Sequence, residues 1–337
     1  MTMKNCNAYI GHPLQLRGAE PYILQGGRGD GMHLLCVRNG LGLEAWISLD
    51  RCADLSRVSF GGDNMGYFSP CGYVAPAYYD AVGSGFLKSF TAGFFTTCGL
   101  TAVGSPCTDA GEQLPLHGSI ANTPAQLLGM EESEAGLTVR AQVRDCTIFG
   151  RKLILDRQYT FSYTENTIAV RDTVHNAGDS ESPYMLLYHC NMGYPLLQED
   201  TQVVIPHTGM TPRNSHAAAH AATALTMEPP QAGYEECCYY YDVAAKDGQA
   251  AVGAYSPSID KGVVIAYNSL ELPRFVEWKM MGKTDYVLGL EPGNCTPDGR
   301  DVLRREGTLP FLAAGESAAT GVTFRFIHGK TAFEGAF

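Results

Sequence analysis

The feature that most constrains the fold is a continuous series of strand patterns between residues 137 and 176. The stretch LTVRAQVRDCTIFGRKLILDRQYTFSYTENTIAVRDTVHN alternates apolar and polar residues in three runs that are separated by short turns. Alternation with a period of two places one set of side chains on each face of a strand, so each run predicts a strand with one buried face. Consecutive strands joined by short turns pair antiparallel, and the segment therefore predicts a meander within an antiparallel sheet.

Strand patterns also dominate the rest of the chain, and helical patterns are rare. The 337 residues include 38 Gly and 18 Pro, and only one Ala-rich stretch, NSHAAAHAATALTMEPP, has a helical pattern. Many short strands separated by turn residues favour a sandwich or barrel over repeated βαβ units. No linker-like segment, internal repeat or change of composition divides the chain. We therefore expect a single all-β domain over residues 1–337.

Charge and cysteine content argue against several classes of function. The formal net charge is -11, whereas a nucleic-acid-binding or membrane-surface protein needs clustered Lys and Arg. No run approaches the roughly 18 apolar residues of a membrane span, and the N-terminal stretch lacks the apolar run of a signal peptide. The 11 cysteines are scattered without a CxxC pair, which is untypical of a zinc ribbon. We expect a cytoplasmic protein with reduced thiols and with no nucleic-acid or membrane partner.

Two histidines, His216 and His220, lie four residues apart in the motif HAAAH. On a helix this spacing places both imidazoles on one face, as a pair of metal ligands requires. No acidic residue completes an HExxH motif. The pattern is more typical of an exposed helix face, and we expect no metal there.

Three residues at strand ends or in a loop are candidates for acid–base chemistry. His189 ends the apolar strand of LLYHCNMGYPLL, His117 lies in the Gly-bounded loop LPLHGSIANTP, and Glu291 follows the apolar run of YVLGLEPGNC. An imidazole titrates near neutral pH, and a desolvated carboxylate has a raised pKa and becomes a stronger base. The alternative interpretations are a satisfied core histidine, an exposed loop histidine and a solvated carboxylate at a turn.

Other polar residues are candidates for binding a hydroxylated ligand. Glu277 and Lys279 lie two apart in EWKMM, so they share one face of a strand. They form either a polar floor for a ligand or an exposed ion pair worth less than about 1 kcal/mol. The planar donor fork of Arg51, in SLDRCADLSRV, can hold hydroxyls or a carboxylate.

In order along the chain, several segments resemble those of the aldose 1-epimerase (galactose mutarotase-like) superfamily. LHGSIANTPA resembles its first histidine segment, NAGDSESPYMLLYHCNMGYPLL its second, and LPRFVEWKMMGKTDYVLGLEPGNC the strand pair that carries a glutamate. LDRCADL resembles the segment of a sugar-binding arginine. The chain is most similar to an uncharacterised bacterial mutarotase-like branch of this superfamily.

The resemblance implies a β-supersandwich of large antiparallel sheets with few short helices, and an open cleft that holds a monosaccharide. It implies that Glu291 removes the proton of the anomeric O1 hydroxyl and that His189 protonates the ring oxygen. His117 would stabilise charge near the ring oxygen, and Arg51 would hold hydroxyls. Ring opening, rotation about C1–C2 and reclosure would then interconvert the α and β anomers of an aldose. This chemistry requires no cofactor and no metal, and the sequence is compatible with a homodimer.

The chain departs from the superfamily pattern in two places. Better-known members carry Pro-Tyr-Phe after the second histidine, whereas this chain carries Cys190, Asn191 and Met192. Their substrate-orienting aspartate has no clear counterpart here. Asp242, Glu235 and Glu236 are the candidates for that role, and Lys279 can take over part of it. We expect Asn191 to contribute to substrate binding as well.

Two other functions are compatible with these residues. A carbohydrate-binding or sensor protein would use the same cleft without catalysis. A glycoside hydrolase would need a second carboxylate across the glycosidic bond from Glu291, and Glu277 or Asp242 are the candidates. Anomer exchange separates the first function from both alternatives.

Overall fold

The computed structural model describes residues 8–337 and contains two large antiparallel sheets, one of 11 strands and one of nine. The strands are β1 (Gly18–Ile23), β2 (His33–Arg38), β3 (Leu43–Ser48), β4 (Asp54–Phe60), β5 (Asp63–Asn64), β6 (Tyr67–Phe68), β7 (Ala92–Gly93), β8 (Phe95–Leu100), β9 (Cys107–Asp109), β10 (Glu112–Leu114), β11 (Ala125–Glu132), β12 (Gly136–Cys146), β13 (Lys152–Ser162), β14 (Thr167–Asn176), β15 (Ser182–Pro183), β16 (Met185–Met192), β17 (Gln202–Val204), β18 (His207–Pro212), β19 (Cys237–Val243), β20 (Ala245–Lys246), β21 (Gln249–Ser256), β22 (Lys261–Asn268), β23 (Arg274–Met281), β24 (Tyr286–Gly293), β25 (Phe311–Leu312) and β26 (Ser317–His328).

The larger sheet has the strand order β1-β2-β3-β4-β8-β16-β24-β23-β19-β18, with β5 paired to β4. The second has the order β11-β12-β13-β14-β26-β22-β21-β17, with β20 paired to β21. Three pairs of short strands, β6-β7, β9-β10 and β15-β25, lie outside these sheets. This architecture confirms the expected all-β fold of large antiparallel sheets with few short helices.

The predicted meander forms the middle of the second sheet. β12, β13 and β14 pair antiparallel along nearly their full length, and buried positions alternate along each strand. The buried set, which includes Val139, Leu155 and Val170, faces the larger sheet in one apolar cluster. The period of two in the sequence therefore encoded both the strands and the face that they bury.

The helices are short and few. They are α1 (Ser215–Ala219), α2 (Arg300–Arg305) and α3 (Lys330–Glu334), together with 3-10 turns at Pro13–Gln15, Gly27–Gly29, Pro76–Tyr78, Gly85–Lys88, Ile120–Asn122 and Ala221–Thr223. The predicted helix over NSHAAAHAATALTMEPP is thus reduced to α1, which starts with Asn214 capping the Ala217 amide and ends at His220. Among the helices of residues 8–337, none has the length and hydrophobicity needed to cross a membrane.

The central strand β16 is buried on both faces. Leu186 and Tyr188 point into the apolar cluster between the sheets, which extends from β2 to β26. Met185 and Leu187 point to the outer face, where they pack with Leu303 of α2. A core drawn from both ends of the chain supports the single-domain interpretation, which stays a prediction.

A buried ionic network connects the two sheets. Arg157 of β13 donates from Nε and Nη2 to the Asp172 carboxylate at 2.9 and 2.6 Å, and from Nη1 to Asp54 Oδ1 of β4 at 2.6 Å. Its Nη2 also donates to Thr97 Oγ1 of β8 at 2.7 Å. Tyr188 of β16 donates its hydroxyl to Asp172 Oδ2 at 2.7 Å. Arg157 and Asp172 together thus hold three strands of the larger sheet, β4, β8 and β16, against the second sheet.

We expect Arg157→Met to lower the free energy of unfolding by about 3–5 kcal/mol, because it leaves two buried carboxylates without their cation. The matched control is Arg171→Met on β14, where an exposed arginine pairs with Glu271 at 2.8 Å. That change should cost less than about 1 kcal/mol. Urea unfolding followed by circular dichroism measures the free energy of unfolding of both variants. Equal decreases would show that the buried network stabilises the fold no more than an exposed ion pair does.

Candidate active site

A cleft of about 370 Å³ lies on the outer face of the larger sheet. Its floor is formed by side chains of β16, β23 and β24, and its walls by the loops that carry Phe86, Phe90 and His117. The outer faces of these strands form the floor, and their inner faces form part of the core between the sheets. The site is therefore held by the most deeply buried part of the fold.

Strand register places His189 beside Glu291. In the pairing of β16 with β24, Leu187 lies opposite Gly293 and Cys190 lies opposite Leu290, so His189 faces Glu291 across the ladder. Directly opposed residues point to the same face of a sheet. His189 Nε2 and Glu291 Oε1 lie 3.1 Å apart, and both side chains are buried. The predicted acid and base are thus in contact in the cleft.

Two polar atoms of this pair lack a hydrogen-bond partner among the described residues. Although His189 Nε2 and Glu291 Oε1 are close, they do not align as a hydrogen bond, and Oε1 has no hydrogen-bond partner among the described residues. The same holds for His189 Nδ1. Buried polar atoms are normally hydrogen-bonded, and unpaired ones in a cleft indicate a site that a polar ligand completes.

His117 is held at the cleft wall in a strained conformation. Its φ of 57° lies in the left-handed region, which is uncommon for residues other than glycine. Its amide donates to Gly104 O at 2.9 Å, and its carbonyl accepts from Gly99 N at 3.1 Å. Nδ1 accepts from the Gly104 amide at 3.3 Å, so in the neutral ring Nε2 carries the proton. The His117 and His189 ring centroids lie 5.6 Å apart.

Burial shifts the pKa values of all three groups toward their neutral forms. Desolvation, reinforced by the nearby His117, lowers the pKa of His189 to about 3. Desolvation and the charge of Arg213 lower the pKa of His117 to about 4. Desolvation and the carboxylate of Glu236 raise the pKa of Glu291 well above its ordinary value, against a smaller lowering by Arg213. In both His189 and Glu291, burial therefore favours the uncharged form.

We expect His117 and His189 to stay neutral as the pH falls through 6.5 and to take up protons only near pH 4 and pH 3. The unfolded chain binds these protons near pH 6.5, so both histidines reduce stability as the pH falls below that value. NMR titration of the imidazole nitrogens measures the midpoints, with His117→Gln and His189→Gln to assign the signals. A midpoint near 6.5 in the folded protein, matching that in urea, would contradict the expectation.

Trp278 forms the apolar part of the floor, and the sequence reasoning missed it. It lies on β23 opposite Gly289 and 5.2 Å from His189 between ring centroids. Its indole N–H donates to Glu236 Oε2 at 2.7 Å, which fixes the ring at the edge of the cleft. In EWKMM, Trp278 lies between Glu277 and Lys279 and so on the opposite face of the strand, which was the sequence signal that could have indicated it. Indole rings suit the apolar faces of sugars because they combine a flat apolar surface with a polar edge.

The arginine in the cleft is Arg213, not Arg51. Arg213 follows β18, donates from Nη2 to Ser105 Oγ at 2.9 Å, and lies 3.5 Å from the Asp298 carboxylate. Arg51 is buried outside the cleft; its Nε donates to the Ala121 carbonyl at 2.6 Å, and its Nη1 donates to the carbonyls of Val74 and Ser89 at 3.0 and 2.8 Å. Arg51 was predicted to contact a sugar, but it does not line the cleft, because its hydrogen bonds hold loop carbonyls.

Glu277 and Lys279 share a face, as expected, but that face points into the core between the sheets. The Tyr241 hydroxyl donates to Glu277 Oε2 at 2.7 Å, and burial raises the pKa of Glu277 to about 7. Lys279 Nζ donates to the carbonyls of Thr223 and Thr226 at 2.9 and 2.6 Å. The structure does not bring them to the cleft, because β23 directs Trp278 there instead.

The remaining two predicted binding residues also lie outside the cleft lining. Asp242 is exposed near the end of β19, so neither it nor Glu277 forms a carboxylate pair with Glu291 in the cleft. Asn191 lies on the outer face of β16, opposite Gly289, but it is fully buried and donates to the His189 carbonyl at 3.0 Å. It supports the strand next to His189 and does not reach the open cleft.

Comparison of the sequence with known protein families assigns this chain to a family. The profile of a family described as "Domain of unknown function (DUF4432)" matches residues 29–326. The chain belongs to this family. No curated protein matches the sequence.

Solved structures give this DUF4432 protein the galactose mutarotase-like fold. A Klebsiella pneumoniae protein, assigned provisionally as an aldose 1-epimerase, has a TM-score of 0.89 and 26% identity, over 94% of this chain and 85% of that chain. A galactose mutarotase-like protein from Clostridium acetobutylicum has a TM-score of 0.68 and 13% identity, over 93% and 99%. Galactose 1-epimerase from Lactobacillus acidophilus has a TM-score of 0.62 and 13% identity, over 93% and 99%. The suspected superfamily is confirmed at the level of the fold.

Proposed function

We propose that this DUF4432 protein interconverts the α and β anomers of an aldose by acid–base ring opening. The observation that carries the proposal is the contact of His189 with Glu291 in a cleft. The ring oxygen and the O1 hydroxyl of a sugar are bonded to the same carbon. An acid and a base in mutual contact can therefore serve both oxygens at once.

The proposed reaction requires one proton on the His189–Glu291 pair. His189 donates a proton to the ring oxygen as the C1–O5 bond breaks, and Glu291 accepts the proton of the O1 hydroxyl as the C1=O1 bond forms. Before the step, ligand binding brings the two side chains, now 3.1 Å apart, into hydrogen-bond alignment, and the proton that burial favours on Glu291 moves to His189. The pair thus has one proton before and after ring opening. Rotation about C1–C2 and the reverse steps then give the other anomer.

Other cleft residues have supporting roles in the proposal. The Nε2–H of His117 donates to the ring oxygen or to the hydroxyl that it becomes, since Nδ1 is engaged by the Gly104 amide. Trp278 lies under the apolar face of the ring, and Arg213 takes the hydroxyl-binding role that the resemblance implied for Arg51. Each proton-transfer group of such a site typically contributes 10²–10⁴-fold to the rate, about the effect expected of Glu291 and His189.

The departure from the superfamily motif after His189 affects the packing of the strand more than the cleft. Cys190 and Met192 point into the core between the sheets, and only Asn191 shares the face of His189. Substrate differences should therefore arise from Arg213 and Glu236 at the rim. We propose a monosaccharide as the ligand. The homodimer stays a prediction.

We also propose that the protein works in the cytoplasm. The cysteines among residues 8–337 are all free, and seven of them are buried. Burial raises the pKa of Cys98, Cys190 and Cys295 and keeps these thiols protonated. Free thiols in this number are typical of a reducing compartment.

We expect Glu291→Gln and His189→Gln each to lower the rate of anomer exchange by at least about 100-fold, because each removes one proton carrier. NMR saturation transfer between the anomers of a panel of aldoses measures the rate directly. The matched control is Glu271→Gln, an acidic residue outside the cleft that pairs with Arg171. It should exchange at the wild-type rate.

Two results would overturn this assignment. If Glu291→Gln matches the wild type on its best sugar, the proposed base is wrong. If the wild type binds sugars by calorimetry but exchanges no anomers, the protein is a sugar-binding protein on the same fold. Release of sugar from an aryl glycoside would indicate a hydrolase instead.

We expect Gly289→Ala to lower the exchange rate by about 10-fold or more without unfolding the protein. A Cβ at Gly289 would overlap Glu291 Oε1, so the carboxylate must move away from His189. The control is Gly129→Ala on β11, where a Cβ meets nothing within 4 Å. Circular dichroism checks the fold of both variants. An unchanged rate in Gly289→Ala would show that the Glu291 position is not critical.

A further inference from the structure

A second cluster of chemically capable side chains lies outside the cleft. It consists of His216 and His220 on and after α1, and Cys237 at the start of β19. One potential ligand atom from each residue lies within 4.8 Å of the other two. Ligands of a tetrahedral zinc ion are about 3.3–3.6 Å apart, given Zn–N and Zn–S bonds of about 2.0–2.3 Å. Small side-chain rotations therefore bring the three atoms to coordination distance.

Hydrogen bonds prepare both imidazoles for coordination. His216 Nε2 lies 3.2 Å from the Glu235 carbonyl, and His220 Nδ1 lies 2.9 Å from the His216 carbonyl. A carbonyl oxygen only accepts, so these ring nitrogens carry the protons. The lone pairs are then on His216 Nδ1 and His220 Nε2. Metal-binding histidines characteristically donate their other N–H to such an acceptor, which fixes the tautomer and ring orientation.

A carboxylate stands beside the three ligands. Glu235 Oε2 lies 3.7 Å from His216 Nδ1, the nitrogen that is free to coordinate. Glu235 is mostly exposed, so its side chain can turn toward the cluster. It supplies a fourth ligand of the kind that zinc accepts, together with two imidazoles and one thiolate. Cys237 is buried and His220 exposed, so the cluster opens to solvent on one side.

We propose that His216, His220 and Cys237, with Glu235 as the fourth ligand, bind one zinc ion per chain. The thiol of Cys237 gives up its proton to solvent as the Zn–S bond forms, and the imidazoles bind as neutral ligands. The donor set of two nitrogens and one sulfur selects zinc over magnesium or calcium, which prefer oxygen ligands. The HAAAH motif is then half of a metal site whose third ligand lies on a strand.

The site lies behind the cleft and supports its rim. On β19, Cys237 points into the core side, whereas its neighbours Glu236 and Cys238 line the cleft. Arg213 of the cleft precedes His216 by three residues. A bound zinc ion would therefore tie the chain segment of Arg213 to the segment of Glu236 without meeting the ligand in the cleft.

The test uses full-length, tag-free protein, stripped of metal under reducing conditions and titrated with Co²⁺ and then Zn²⁺. Cobalt bound to a thiolate gives a near-ultraviolet charge-transfer band, and zinc then displaces it. The variants are Cys237→Ser and His220→Gln, and the matched controls are Cys238→Ser and His207→Gln. Metal content is measured by mass spectrometry, and the Tm is measured with and without zinc.

We expect one metal per chain, a thiolate band in the wild type and in both controls, and no band in Cys237→Ser. Zinc should raise the Tm of the wild type, and its Kd should increase by more than about 100-fold in His220→Gln. Since His220 is exposed, that variant tests the site even if Cys237→Ser fails to fold. A wild type that takes up no metal, or a band that survives Cys237→Ser, would overturn the proposal. A protein that exchanges no anomers would not affect the zinc proposal, because the metal-binding measurements do not depend on the cleft.

Discussion

The interaction on which the rest of the structure depends is the buried contact of Arg157 with two carboxylates. Asp172 comes from the same sheet as Arg157, and Asp54 comes from the opposite sheet. A buried charge without partners costs several kcal/mol, so the two sheets must hold these groups in one relative position. Tyr188 joins the same network through Asp172, and it is the residue before His189. The strand that carries the candidate acid is therefore aligned by an ion pair on its other face.

The electrostatics of the cleft follow from the burial of the same strand. β16 and β24 form the middle of the larger sheet, so His189 and Glu291 lose water from both sides. Desolvation moves the pKa of the imidazole down and that of the carboxyl up, so burial favours the uncharged form of each group. The same packing that stabilises the sandwich thus produces neutral groups that can exchange a proton.

Much of the architecture and part of the site could be predicted from the sequence. The alternation over residues 137–176 predicted β12, β13 and β14, and the segment resemblance brought His117, His189 and Glu291 together. The binding residues Glu277 and Lys279 were misplaced because both faces of their strand, β23, are buried. In EWKMM the alternation correctly separates Glu277 from Trp278, but only the register of β23 with β24 shows which of them faces the cleft. Arg213 had no motif of its own, because it lies on a connection after β18.

Arg51 illustrates how a residue outside the cleft can control it. Its guanidinium joins three loop segments, at Val74, Ser89 and Ala121, and these segments lead into the wall that carries Phe90 and His117. The arginine acts as an internal brace whose three hydrogen bonds hold the loops around the opening of the cleft. Evolutionary or engineered change in the size of that opening would therefore have to preserve this brace and vary the loop residues around it.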